Sequence, residues 1–278
     1  MQNPDEPKTL TANGLLTPQT AFARIQALDS YGPTDVRSSG TLQIFRSDKR
    51  LFSNFLSAFE SSLSAARLTT LDMGCGFGAL SELIGRSLRF RDVYGVDLDE
   101  GRAAIAAQRG LHFSRCDLRQ ERLPFPDGHF DLVISFGVLD HIKILDNPIS
   151  EAYRVLKPGG CLALSTTNLS SWVNRLALLM GYQPRNLEIS EKGLFGVHRF
   201  YKQLYACTDT MGRISSFTLR ALEEYLNFNG FSVLRRWGTG LIPAPDRDPG
   251  ALMRIIDKIL SKRPSFAVRF IVLARKIR

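Results

Sequence analysis

The chain has 278 residues, enough for one large domain or one domain with an inserted cap, and at 44% hydrophobic it can bury a full core. Its net charge of +9 is unevenly placed, because eleven basic residues face only three acids from Phe231 to Arg278, a net +8. That balance points to an anionic partner or a solvated basic face. The polar first residues and the lack of an apolar run of membrane-spanning length lead us to expect a cytoplasmic protein.

Cys75, Cys116, Cys161 and Cys207 form no C-x-x-C pair, so they read as buried reduced thiols rather than a zinc site or a disulfide frame. No two of His112, His129, His141 and His198 share metal-ligand spacing, and no metal is expected.

Residues 1–46 read as an N-terminal extension, partly helical. Thr17-Pro18 starts one short helix, with Ala21, Phe22, Ile25 and Leu28 at helical spacing. Asp48 to Ala66 reads as a longer helix carrying Leu51, Phe52, Phe55, Leu56, Phe59 and Leu63. It opens a core over residues 47–167. Leu68-Thr69-Thr70-Leu71 is the first strand, followed by the glycine run Gly74-Cys75-Gly76-Phe77-Gly78 and a helix with Leu80, Leu83, Ile84 and Leu88. Glycines at a strand-to-helix switch permit the backbone angles and the close approach that a ligand crevice needs. Taken alone, this run fits a dinucleotide-binding turn or a turn that binds nothing.

Val93 to Asp97 is the second strand. Asp97 lies about twenty residues past the glycine turn, at the offset of a carboxylate that accepts both ribose hydroxyls. The alternative role for Asp97 is capping of the helix Glu100–Arg109, for which Asp99 is better placed. Leu111 to Leu118 is the third strand. Its Asp117 can accept from a purine amine, and the neighbouring N–H of Leu118 can donate to a ring nitrogen. Phe130 to Ser135 is the fourth strand, with Phe136 to His141 beyond it. The helix Ile149–Leu156 ends at Lys157-Pro158-Gly159-Gly160, and the fifth strand is Cys161 to Thr167.

Six pieces in this order carry a resemblance. They are Leu71-Asp72-Met73-Gly74-Cys75-Gly76-Phe77-Gly78, Gly95-Val96-Asp97, Cys116-Asp117-Leu118, Leu123-Pro124-Phe125-Pro126-Asp127, Phe130-Asp131-Leu132-Val133 and Arg154-Val155-Leu156-Lys157-Pro158-Gly159-Gly160. Together they resemble class I S-adenosylmethionine-dependent methyltransferases, of the broad group that includes the ubiquinone and menaquinone C-methyltransferases. The resemblance implies a Rossmann-like α/β fold. Its seven-stranded, mostly parallel sheet would carry helices on both faces, an antiparallel last strand and a helical insertion after strand five. It also implies S-adenosylmethionine as cofactor, leaving as S-adenosylhomocysteine, with no metal. Gly74, Gly76 and Gly78 would meet its methionine part, Asp97 the ribose, and Asp117 and Leu118 the adenine. Asp72 would orient the loop and the amino group, and Cys75, Leu98, Ser135 and Phe136 would complete the contacts. A nicotinamide dehydrogenase would not be expected to show the later pieces.

Residues 168–213 fall where such chains carry an acceptor cap, so Trp172, His198, Arg199 and Tyr201 are substrate candidates; an ordinary cap with its own small core is the alternative. Residues 214–278 complete the core. Ile214 to Asn229 reads as a helix capped by Ser215 or Ser216, and a sixth strand begins at Gly230-Phe231. Pro243 to Asp246 is a loop, and Phe266 to Ala274 is the last strand, pairing with the sixth. Between them Leu252, Ile255, Ile256, Ile259 and Leu260 face away from Arg254, Lys258 and Lys262, a basic amphipathic helix suited to a membrane surface or to packing on the sheet. Methyl transfer needs acceptor atom, methyl and sulfur held in line. His141, with Asp140 beside it, follows strand four and is the candidate base. The expected acceptor is a small or lipid-like molecule, methylated at oxygen or carbon. A nucleic-acid acceptor and a non-catalytic binding role are the competing readings; the former lacks an N-P-P-Y-type motif at Ser135-Phe136-Gly137-Val138.

Overall fold

The computed structural model describes residues 18–30, 40–63, 68–88, 90–204, 212–241 and 248–277. Thr17, Cys207 and the Pro243–Asp246 loop lie outside the described residues. The strands are β1 (Thr69–Met73), β2 (Asp92–Asp97), β3 (Leu111–Arg115), β4 (Phe130–Phe136), β5 (Leu156–Thr167), β6 (Phe231–Thr239) and β7 (Arg269–Lys276). They form one sheet in the order β3-β2-β1-β4-β5-β7-β6. The first five strands are parallel, and β7 runs antiparallel to both β5 and β6. This is the Rossmann-like sheet that the motif order implied. β1 lies at its switch point, with β2 on one side and β4 on the other. Ligand crevices open beyond the carboxyl ends of strands at such a point.

The helices are α1 (Pro18–Asp29), α2 (Gly40–Ser47), α3 (Lys49–Ser62), α4 (Ala79–Leu88), α5 (Ala103–Gln108), α6 (Asp146–Val155), α7 (Trp172–Leu179), α8 (Arg199–Leu204), α9 (Leu219–Phe228) and α10 (Ala251–Leu260). Side chains alternate across a strand, so each central strand feeds two cores. Val133, Phe270 and Val272 point to one face, where Ile149 and Ala152 of α6 and Leu222 and Leu226 of α9 cover them. Leu132, Ile134, Ile271 and Leu273 point to the other, beneath Leu28 of α1, Phe45 of α2, Phe52 and Phe55 of α3, and Leu83 of α4.

The α2, β5 and α9 elements differ from the sequence expectation in ways that have a physical cause. Two helices, not one, precede residue 48. α2 forms in a Ser- and Gly-rich stretch because Phe45 packs on Phe52 and Phe55 at ring separations of 5.1 Å. Burial of that kind outweighs weak local propensity. β5 begins at Leu156, five residues before Cys161, because Leu156 pairs with Phe130 across a register shift. α9 begins at Leu219 with Thr218 as its N-cap, and not at Ile214 with a Ser215 or Ser216 cap. The N–H groups of Ile214 and Ser215 are drawn away from the helix, donating to the Asp140 carbonyl at 2.9 and 3.0 Å.

The apolar side of α10 also divides. Met253, Ile256 and Leu260 pack on Trp172, Val173, Leu194 and Tyr201 of the 168–213 segment, whereas Leu252, Ile255 and Ile259 are exposed. At 100° per residue that outward stripe borders Arg254 and Lys258, with Lys262 two residues past the helix end, so the helix's basic residues lie beside exposed apolar ones and not opposite them.

Candidate ligand cleft at the strand ends

A cleft of about 580 Å³ opens at the carboxyl ends of β1 to β4, within the size range of small-molecule sites. Its floor is the glycine loop. Gly74 and Cys75 donate to the Val96 carbonyl at 2.7 and 3.0 Å, and Gly76 donates to Asp97 Oδ2 at 2.9 Å. Gly74 has φ +81°, and a Cβ there would lie 2.3 Å from Val138. Only glycine lets the loop meet the turn after β4.

Three carboxylates ring this floor, each at the end of its strand. Asp97 is buried. It accepts from the Asp99 amide at 3.1 Å and lies 3.4 Å from the Arg102 guanidinium. Asp99, not Asp97, caps the following turn, accepting from Gly101 N–H. Asp97 is therefore free of the capping role and turned into the cleft. Asp117 receives two hydrogen bonds from Arg119, at 2.8 and 2.7 Å. Those bonds hold its carboxyl below the usual range. Asp72 accepts from Ser81 Oγ. Burial pushes its pKa up to about 7, the Ser81 bond opposes that rise, and the charge of Asp97 adds to it. A buried carboxyl at that value can trade its proton for a ligand cation. Leu98, Leu118, Phe136 and Val138 supply apolar walls.

The far end of the cleft is built differently. Asp140, His141 and Ile142 come from a single 3₁₀ turn and its exit beyond β4, Arg269 from the start of β7, and Arg213 from the end of the 168–213 segment. Asp140 is 1% exposed. It accepts from Thr166 Oγ1, and the guanidinium nitrogens of Arg213 and Arg269 lie 3.6 and 3.7 Å away. Enclosed in this way it fixes the turn and balances charge, while the exposed His141 is better placed to exchange protons. The His141 Nδ1 lies 2.9 Å from the Gly212 carbonyl. A carbonyl only accepts, so Nδ1 carries a proton, and in the neutral imidazole Nε2 is then the nitrogen with the lone pair.

Of the residues singled out from the sequence, Asp72, Gly74, Cys75, Gly76, Asp97, Leu98, Asp117, Leu118, Phe136, Asp140 and His141 line this one cleft. Gly78 lies beneath it, packed against Leu111. Ser135 does not reach it: the side chain is buried and donates to the Met73 carbonyl at 3.1 Å, stitching β4 to β1. The substrate candidates of the 168–213 segment also lie elsewhere. Trp172 donates its indole N–H to Asp257 at 2.8 Å. His198 accepts from the Phe200 amide and stacks edge-on with Tyr182. Arg199 is exposed at the start of α8. Tyr201 lines a smaller neighbouring cavity that shares Arg213 with the cleft. Arg102, Arg213 and Arg269 were not read from the sequence, where no spacing ties them to the glycine motif. Burial pushes the thiols of Cys75, Cys116 and Cys161 up, which favours the protonated form over the nucleophilic thiolate. Among the described residues no group of His, Cys, Asp or Glu is arranged to hold a metal.

Residues 71–164 match the methyltransferase domain family. Over 101 residues the chain is 38% identical to a probable S-adenosylmethionine-dependent methyltransferase of Mycolicibacterium smegmatis, covering 35% of this chain and 37% of that one. Over 120 residues it is 33% identical to the ubiquinone biosynthesis O-methyltransferase of Marinobacter nauticus, covering 41% of this chain and 50% of that one. The aligned part thus spans half or less of those relatives. The solved structure of a SAM-dependent methyltransferase from Archaeoglobus fulgidus superposes with a TM-score of 0.52 at 18% identity, covering 84% of this chain and 96% of that one. That likeness establishes the fold.

Proposed function

We propose that the chain is an S-adenosylmethionine-dependent methyltransferase acting on a small-molecule or lipid-like acceptor. One observation carries the reading: Asp72, Asp97 and Asp117 converge on a glycine-floored cleft at the switch point of the sheet. The family match over residues 71–164 supports it. The donor set fits the cofactor. Asp72, with its pKa near 7, suits the amino group; Asp97 offers two acceptor oxygens to a ribose diol, and Asp117 with Leu118 borders the place for adenine. Arg102 now lies against Asp97, and the ribose would share or displace it. The relative named an O-methyltransferase favours oxygen as the methylated atom.

When bound, S-adenosylmethionine supplies an electrophilic methyl group whose leaving thioether is neutral. The chain's own task is then to position the acceptor and take its proton. Phe136, Val138 and Ile142 give that end of the cleft an apolar wall. His141, holding its Nδ1 proton on Gly212, presents Nε2 as the base for an acidic hydroxyl. The test is thermal unfolding with S-adenosylmethionine, S-adenosylhomocysteine and NAD in parallel. A ligand selective for the folded chain raises the midpoint. A rise with the first two alone is expected, and calorimetry that detects no binding of S-adenosylmethionine would sink the reading.

The lipid-like side of this reading rests on α10. Leu252, Ile255 and Ile259 are 71%, 57% and 60% exposed, and Arg254 and Lys258 border them, with Lys262 just past the helix end. Apolar and basic stripes side by side suit an anionic lipid surface. Sedimentation with phosphatidylglycerol vesicles, but not with phosphatidylcholine vesicles, is the expected result, and Lys258→Glu with Lys262→Glu should abolish it. Equal sedimentation with both, or with neither, removes the lipid surface from the reading.

A further inference from the structure

The acceptor end of the cleft brings two guanidinium groups, of Arg213 and Arg269, to one carboxylate oxygen, Asp140 Oδ2. Arg213 is 8% exposed, and its Nε has no hydrogen-bond partner. The same holds for Nη1 of Arg269, which approaches Gly137 just beyond β4. The one carboxylate between them is Asp140, whose Oδ2 is also without a hydrogen bond. Its separations of 3.6 and 3.7 Å from the two guanidinium groups are too long for direct bonds. Glu188 accepts from the main-chain N–H of Arg213, and the charges of Glu188 and Arg185 act on the Arg213 guanidinium in opposite directions. Burial pulls the Arg213 pKa down to about 10, with Arg269 and Arg185 contributing, so it stays charged at neutral pH.

Buried guanidinium groups with unmet donors are costly unless something completes them. The site around them is firmly built. Ile214 and Ser215 donate to the Asp140 carbonyl, and His141 donates to Gly212. Arg213 is therefore fixed against the same turn that carries the candidate base. We propose that Arg213 and Arg269 bind an anionic group of the acceptor, a carboxylate or phosphate, while His141 faces its hydroxyl. This rests on the methyltransferase reading and narrows its substrate class to small hydroxylated acids. Two planar forks suit the paired oxygens of such a group.

The test is calorimetry on the full chain saturated with S-adenosylhomocysteine. The probes are 3,4-dihydroxybenzoate and 3,4-dihydroxybenzamide, then benzoate, benzamide and phenyl phosphate. Each acid should bind at least about tenfold more tightly than its amide, as expected for a charge-assisted contact. The ranking of benzoate against phenyl phosphate tells carboxylate from phosphate. Arg213→Met should remove the acid preference and leave the S-adenosylhomocysteine titration unchanged. If that variant does not fold, Arg269→Gln makes the same test from β7. Acids and amides that bind alike, or no binding by any probe, overturn the proposal while the S-adenosylhomocysteine titration keeps the parent reading. A loss of S-adenosylhomocysteine affinity in Arg213→Met overturns it too, because the arginines would then serve the cofactor's own carboxylate. Failure of wild-type protein to bind S-adenosylhomocysteine would instead remove the parent reading.

Discussion

The two ends of the cleft are made in different ways. At the end proposed for the cofactor each carboxylate sits at the end of its own strand, and N–H groups of the glycine loop tie it to the Val96 carbonyl and the Asp97 carboxylate of β2. At the acceptor end the polar groups come from three segments far apart in the chain, meeting at Asp140. The first end is a product of the parallel strands β1 to β3 and the turns that follow them. The second exists only once the 168–213 segment and β7 have docked. The cofactor end should therefore tolerate changes in the docked segment, whereas the acceptor end depends on both.

The harshest way to break that division is at the point where the ends touch. Gly74→Ala should disturb both, since its Cβ would overlap Val138 and its φ of +81° disfavours any side chain. A cost of roughly 3 kcal/mol is expected in denaturant unfolding. Adding Val138→Ala should recover part of it by making room, and no recovery would show that backbone strain alone was responsible.

Asp97→Ala tests the cofactor end by itself. Loss of a charged acceptor should weaken S-adenosylhomocysteine by about a hundredfold in calorimetry. The acid preference of the acceptor end should survive at high cofactor concentration. An unchanged affinity would show the ribose assignment wrong.

A smaller effect comes from pH. The Asp72 carboxyl has a pKa near 7 in the folded chain, above its ordinary value of 3.8. A bound ammonium group needs the ionised form, so affinity should rise with pH and level off above 7. It should be roughly fivefold tighter at pH 7 than at pH 6. Without ligand the sign reverses, because the folded chain holds that proton more tightly than the unfolded one. This contribution therefore falls from about pH 4 to pH 7 and is flat beyond. Asp72→Asn should flatten both profiles, and a pH dependence of binding that survives it would place the titrating group elsewhere.

Least is expected of Ser135→Ala. It removes the bond to the Met73 carbonyl and should cost about 1 kcal/mol of stability. Cofactor affinity should not move; a marked loss would return Ser135 to the site.

What could be read in the sequence follows from this contrast. Gly74, Asp97 and Asp117 were legible because strand, turn and strand end are local, and their spacing along the chain is their spacing in the fold. Ser135 was misread because it alternates with Phe136 along β4, and only the sheet shows which of the two turns into the cleft. The apolar face of α10 looked single, yet docking on Trp172 and Val173 claimed Met253, Ile256 and Leu260 and left the other stripe outside.

By itself, then, the sequence determined the parallel core, the glycine floor and the three acids around it. Hydrophobic period and turn chemistry act within a few residues, and they suffice for those features. Tertiary structure decided the rest: that α2 exists, that α9 starts late, and that Arg213, Arg269, Asp140 and His141 share one wall. Those outcomes depend on burial and on hydrogen bonds between segments tens of residues apart, which no local pattern records.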